Sequence, residues 1–435
     1  MRWGSSRIEF VRPVHWCVLL FGKSFIDTTI LGVKSGAVTY GHRFHHSASL
    51  EIATPSGYED LLENRGFVIA DFSKRKEIIR EQVLEIAKSR QGTAVIDENL
   101  LDEVTGLVEF PVALSGEFDK EFIEVPPEAL ILAMKSHQKY FHLVDESGNL
   151  MPCFISVSNI KSSDPSQVVA GNEKVIRPRL ADARFFYESD LKTPLAAKIE
   201  KLKTIVFQAQ LGTVYDKTER VSRLAVYMAD QFDGDIPSCK RAASLAKCDL
   251  LTDMVGEFAD LQGLMGYYYA LKDGESNEVA SAIVEQYLPR YAGDALPKTL
   301  TGNIVSLAEK IDTIAGLFAI KQPPTGSKDP FAIRRAALGV LRILVENRLE
   351  LDILKVLGFA LEGFANLDIE EGTDQVIFEF MLDRLRAWYQ DKDIPIEVFQ
   401  SVRAFKPRSP FAVSYTHLRA HETPEHLVCR LLLEK

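Results

Sequence analysis

The spacing of hydrophobic positions changes character between residues 160 and 194. Ahead of that point, runs rich in Ile, Val, Phe and Thr are interrupted by glycine. "IEFVRPVHWCVLLFG" and "FIDTTILGVKSGAVTYGHRF" cover most of the first fifty residues and predict strands. Residues 74–90, "KRKEIIREQVLEIAKSR", follow another rule. Ile78, Ile79, Val83, Leu84 and Ile86 mark one apolar face of an amphipathic helix, and a second helix is expected over 97–106. "LVEFPVAL" and "CFISVSN" read as buried or half-buried strands.

From residue 194 the pattern turns helical. Helices are expected at 194–209, 215–232, 239–256, 276–287, 301–318, 329–348, 351–364 and 374–390. The best delimited begins at "KDPF". Asp329 is its expected N-cap, and Pro330 sits in the first turn, where a missing N–H costs nothing. Ile333, Ala337, Val340, Leu341 and Leu344 form its buried stripe, with Arg335, Arg342 and Glu346 on the other side. The expected class is therefore α+β. An N-terminal α/β domain spans 1–160, a basic connecting segment 161–193 and a helical domain 194–365. A helical start of a C-terminal region follows at 366–413.

Composition narrows the class. At 46% hydrophobic and 26% charged, the chain has the balance of a soluble globular protein, and 435 residues suffice for more than one core. The net charge of −10 excludes a uniformly basic nucleic-acid coat, yet leaves room for a local basic groove, since salt screens charges beyond roughly 8 Å. The five cysteines form no C-x-x-C pair, which fits reduced, cytosolic usage. No apolar run reaches the ~18 residues of a membrane span. "MRWGSSRIEF" leads straight into strand-like sequence, so a cytoplasmic location is expected.

Several familiar chemistries fail on spacing. "FGKS" at 21–24 resembles the end of a Walker A loop, but Cys17 stands where that loop needs glycine. The sequence holds neither G-x-G-x-x-G nor G-x-S-x-G. "GHRFHH" offers His42, His45 and His46 at loose spacing, which favours polar loop histidines over metal ligands. His417, His421, His426 and Cys429 mimic a zinc site, but "SYTHLRAHETPEHLVCRLLLEK" resembles a translated sequencing-adaptor read-through. Residues 414–435 are accordingly set aside as an artefactual tail. No catalytic residue and no metal site is assigned.

Basic clusters remain. Residues 161–203 hold nine Lys/Arg against six Asp/Glu, and residues 321–348 hold six against two. "GNEKVIRPRLADARFF" gathers Lys174, Arg177, Arg179 and Arg184, with Pro178 stiffening the run and Phe185 and Phe186 expected to anchor it in a core. "MKSHQKYF" adds Lys135, His137 and Lys139; Arg43, Lys328, Arg334 and Arg335 complete the set. Guanidinium forks match phosphate oxygens, and neighbouring aromatics can stack on unpaired bases, so these cations are candidate RNA contacts. The competing reading is a solvated face with internal pairs, Arg177 and Arg179 to Glu173 and Asp182.

The order of "MRWG", "FVRPVHW", "GHRF", "HQKYF", "GNEKVIRPRLADARFF", "FQAQLGTVYDKTERV", "AKCDLLTDMVGEFADLQGLMG", "EQYLPR", "AGDALP", "AEKIDTIAGLF", "GSKDPFAIRRAALGVLRIL" and "RAWYQD" resembles one family over residues 1 to 410. That family is the β subunit of the bacterial heterotetrameric glycyl-tRNA synthetase. The resemblance implies a chain that binds tRNA(Gly) and positions it, while the α subunit makes glycyl-adenylate from glycine and ATP with Mg2+. It implies no cofactor on this chain, and as partners an α subunit, tRNA(Gly) and a second β subunit in an α2β2 complex, with no membrane. Family members carry a further N-terminal region and a C-terminal anticodon-binding domain, so the chain reads as a fragment. The helical half resembles an HD domain whose His-Asp step falls at Cys248-Asp249 and whose last Asp is Asp312, without the imidazoles a metal needs. Two alternatives stay open: a metal-dependent HD-type phosphohydrolase, and a scaffold whose cations serve only subunit contacts.

Overall fold

A computed structural model describes residues 1–3, 7–325, 328–390, 400 and 408–412 of the chain. It divides into two compact units, Met1–Phe185 and Phe186–Lys435, and the mixture of small sheets and many helices is the expected α+β class. The tail at 414–435 lies outside the described residues.

The first unit is built on a four-stranded antiparallel sheet ordered Thr93–Ala94, Phe141–Val144, Leu150–Ser158, Val112–Glu117. The Phe72–Ser89 helix covers it, started by Asp71, whose carboxylate accepts from the Lys74 N–H at 2.9 Å. Ile79, Val83 and Ala87 from this helix meet Phe141, Leu143 and Ile155 from the sheet, and Leu101 and Val104 from the Glu98–Leu107 helix. The expected face differs in one member: Leu84 is exposed, and Ala87, three residues on, is buried. The first fifty residues form strands of two to four residues, among them Cys17–Val18 parallel to Val33–Gly36, which pairs antiparallel with Thr29–Ile30. A close backbone seam brings Gly41 against Gly66. There the His42 N–H donates to the Gly66 carbonyl at 2.6 Å, and any Cβ on Gly41 would lie 2.7 Å from the Gly66 Cα.

The basic stretch is mostly one helix, Pro165–Asp190, continuous through Pro178. A proline here removes the bond to the Lys174 carbonyl. Pro178 and Lys174 are both exposed, so water reaches that carbonyl and the interruption is tolerated. Ile176, Leu180 and Ala183 bury the inner face.

The second unit packs around the Leu300–Ala319 helix, apolar on nearly every side through Ile304, Val305, Leu307, Ala308, Ile311, Ile314 and Ala315. The Val214–Gln231 helix beside it opens with a capping box between Thr213 and Asp216. Three expected helices are corrected. Residues 194–209 divide into a 3₁₀ stretch, Leu195–Thr204, and a strand, Val206–Gln208, because the run Thr204-Ile205-Val206-Phe207 favours extended backbone. Residues 239–256 break into Ile236–Leu245, Cys248–Leu251 and Asp253–Glu257. The helix expected at 329 starts at Ile333 and runs to Glu346. Asp329 still caps it, from outside: its carboxylate accepts from Ile333 N at 2.8 Å and Arg334 N at 3.0 Å across a turn holding Pro330. A helix over Leu264–Lys272 was not expected.

Candidate nucleic-acid interface

Lys174, Arg177, Arg179 and Arg184 share one helix but not one face. At about 100° per residue, Arg177 and Arg184 lie on one flank of the buried stripe, Arg179 on the other, and Lys174 outward. The flank pair is already engaged. Arg177 meets Asp119 at 2.5 Å and Arg184 meets Glu121 at 2.9 Å, both at the Lys120–Glu124 segment. The predicted local partners, Glu173 and Asp182, are not the ones used. Glu173 instead accepts from the Glu117 N–H at 2.8 Å, tying the helix to the sheet. Lys174 and Arg179 are exposed and make no ion pair among the described residues.

The helix is held rigidly. Asn172 accepts from the Tyr140 hydroxyl at 3.1 Å and donates to Ser156 Oγ at 3.0 Å, and Tyr140 stacks on Phe154 at 4.5 Å. Burial pushes the Tyr140 hydroxyl up to about 12, so it remains a neutral donor. Phe185 departs from expectation: it is 63% exposed, while Phe186 is half-buried.

"MKSHQK" adopts a wide helical turn, Ala133–Gln138, closed by Lys139 at φ +60°. Lys135 pairs with Asp97, and Lys139 with Glu103 at 2.8 Å, so both ammonium groups lean on the Glu98–Leu107 helix and its cap. His137 is exposed. Arg43 stands exposed on the turn after Gly41, without an ion pair among the described residues. Of its histidine neighbours, His42 is buried and its Nδ1 accepts from the backbone of Phe44 and His45 at 3.3 and 3.4 Å. His45 Nε2 accepts from Lys161 N at 3.0 Å, and burial, then His42 and Lys161, push its pKa down. These rings therefore serve as local acceptors. In the second unit, Lys328 and Arg335 are exposed and Arg334 half-buried. The eleven candidates thus fall into several separate groups, and four of them are spoken for by acids far away in sequence.

The two acids of the HD-like pattern are also engaged. Asp312 receives Arg220 Nε at 2.8 Å and Lys217 Nζ at 3.3 Å. Lys217 further donates to Thr313 Oγ1 at 2.6 Å and lies 3.4 Å from the Glu309 carboxylate. Burial alone pushes the Glu309 carboxyl up, but Lys217, Lys247 and Lys310 outweigh it and hold it at about 2. Asp249 is wholly buried. One carboxylate oxygen accepts from the Gly263 N–H and the other has no partner among the described residues, so burial raises its pKa to about 6. A cavity of about 520 Å³ opens beside this network, lined by Leu211, Asp216, Glu219, Arg220, Phe364 and Asn366. Among the described lining residues the cation is Arg220, which stacks 4.4 Å over Phe364 and is committed to Asp312. The chemistry here is that of a buried charge network.

Comparison with known proteins adds to this geometry. The family model described as glycyl-tRNA synthetase beta subunit matches residues 1–404. A glycine–tRNA ligase beta subunit of Hahella chejuensis is 57% identical over 410 residues, covering 94% of this chain and 59% of its own length. Those of Marinobacter nauticus and Pseudomonas putida are 54% and 53% identical, covering 94% of this chain and 59% and 60% of their own lengths. The chain spans about three fifths of the length of these curated relatives. Among the described residues no helix is long and apolar enough to cross a membrane.

Proposed function

Because the chain belongs to the glycyl-tRNA synthetase beta subunit family, we propose that it binds tRNA(Gly) and positions it for ATP-dependent glycylation carried out on an α subunit in the cytoplasm. The adenylation chemistry, with ATP and Mg2+, is assigned to that partner, in an α2β2 assembly. This chain contributes orientation: bringing the acceptor end to another subunit's site turns a bimolecular encounter into a local one. One observation carries the reading. The Pro165–Asp190 helix buries Ile176, Leu180 and Ala183, is tied to the sheet by Asn172 at Ser156 and Glu173 at the Glu117 N–H, and leaves Lys174 and Arg179 exposed and without an ion pair among the described residues. A rigid element fixes the backbone from which these cations reach a phosphate, so the spacing of the contacts is set before binding.

The test is the double reversal Lys174→Glu/Arg179→Glu, assayed in the complex with the α subunit. The KM for tRNA(Gly) in glycylation is expected to rise about 10-fold or more at low salt, with the gap closing as salt rises. Glycine-dependent ATP–pyrophosphate exchange, which needs no tRNA, is expected to stay at wild-type rate. If exchange and charging fall together, the cations serve subunit assembly and the scaffold reading takes over. If neither moves, this helix is not a tRNA contact.

A further inference from the structure

The first forty-eight residues combine two features that the interface above does not use. They carry six Lys/Arg against two Asp/Glu in a chain whose net charge is −10. They also expose aromatic rings: Trp16, Tyr40, Phe21, Phe25 and Phe44 are each more than two-fifths exposed. Four of the cations, Arg12, Lys23, Lys34 and Arg43, are exposed and have no ion-pair partner among the described residues. That contrasts with Lys135, Lys139, Arg177 and Arg184, each of which must leave a carboxylate before meeting a phosphate.

The arrangement is ordered at its centre. The rings of Trp16 and Tyr40 meet edge to face at 4.9 Å. Cys17 pairs with Ser35 in the parallel ladder, and Trp16 and Lys34 precede that pair by one residue each. Side chains alternate along a strand, so Lys34 lies on the side opposite buried Ser35. Ser35 is itself fixed, its hydroxyl donating to the Ile26 carbonyl at 2.5 Å and accepting from Thr28 N at 2.9 Å. The Trp16–Tyr40 pair and Lys34 therefore stand on a ribbon locked from behind.

We infer that this ribbon is a stacking platform for unpaired RNA. One or two bases lie on the Trp16–Tyr40 pair, and Lys34 meets an adjoining phosphate. Every base offers a π-face, so the platform takes a single strand with little sequence preference, whereas a duplex hides those faces. The excess of cations favours a polyanion, whose backbone supplies a negative charge at every nucleotide. The inference rests on the tRNA reading and names which part of the RNA meets this face: unstacked nucleotides rather than a helical stem.

The experiment uses the full chain with its α partner and a fluorescein-labelled single-stranded RNA of about 10 nucleotides, against the same sequence as a duplex, by anisotropy. Intact tRNA(Gly) is measured in parallel. The wild type is expected to prefer the single strand. Trp16→Ala/Tyr40→Ala should weaken it roughly 5-fold or more, and Trp16→Phe/Tyr40→Phe, which keeps both π-faces, should restore most of the loss. Lys34→Glu should weaken binding and flatten its salt dependence. Equal affinity for duplex and single strand, or an alanine pair that binds like wild type, overturns the platform. So does a self-association in sedimentation that the alanine pair abolishes, since the face would then be a contact between copies. If tRNA binding survives while the single-strand preference is absent, only the platform fails; if tRNA binding is itself absent, the broader reading fails first.

Discussion

Asp312 is the acid on which the helical unit's buried charge network turns, and its removal has a calculable cost. It is 1% exposed and is shared by Lys217, itself 3% exposed, and the largely buried Arg220. Asp312→Ala leaves two cations without their main counter-charge. Breaking a buried pair from one side costs about 3–5 kcal/mol, because the surviving charge stays desolvated. Lys217 retains Thr313 Oγ1 at 2.6 Å and the Glu309 carboxylate at 3.4 Å, and Arg220 retains the Leu211 carbonyl at 3.2 Å. These place the expectation near the low end, about 3 kcal/mol. Urea unfolding followed by far-UV circular dichroism measures it. Asp312→Leu combined with Lys217→Met should recover at least about 1 kcal/mol relative to Asp312→Leu alone, since the stranded ammonium is gone. A single-mutant loss below about 1 kcal/mol, or strict additivity, would refute the reasoning.

Gly302→Ala should cost about 2 kcal/mol or more in the same unfolding assay. Its Cβ would enter the Glu285 carboxylate and come within 2.9 Å of the Glu285 Cβ, dislodging a side chain that accepts from Lys298 N, Thr299 N and Thr299 Oγ1. Asp249 predicts a pH dependence. Its folded pKa of about 6 lies above the ordinary aspartate value, so its contribution is fully present at low pH and is lost as pH rises through about 6. Asp249→Asn should therefore gain up to roughly 3 kcal/mol on wild type above neutral pH, and the gap should shrink below about pH 4, as a urea series across pH would register. Asn172→Ala unties the basic helix from Tyr140 and Ser156. A loss of about 1–2 kcal/mol in thermal melts should come with weaker tRNA binding, while Asn172→Asp retains the acceptor for Tyr140.

Long amphipathic helices were legible because their spacing needs nothing from elsewhere. Residues 215–232 and 301–318 lie within one residue of the observed Val214–Gln231 and Leu300–Ala319. Asp329 was legible as a cap, but not the turn that delays the helix to Ile333. Residues 165–190 were not read as a helix, because Gly171 and Pro178 argue against one locally. What rescues it is tertiary: an inner face buried against the sheet and an outer face wet enough to hydrate the freed carbonyl. The cations were legible as residues, and their partners were not. Asp119 lies 58 residues from Arg177, and no periodicity links them. The Trp16–Tyr40 contact was similarly invisible, since it depends on strands that pair in parallel from separate parts of the chain.

The N-terminal ribbon's strands are two to four residues long. Each segment closes only a few backbone bonds, so opening one costs far less than opening the four-stranded sheet. Amides at 17–18 and 29–36 should exchange with deuterium well before those at 112–117 and 150–158. Bound RNA would register as slowed exchange in those first segments.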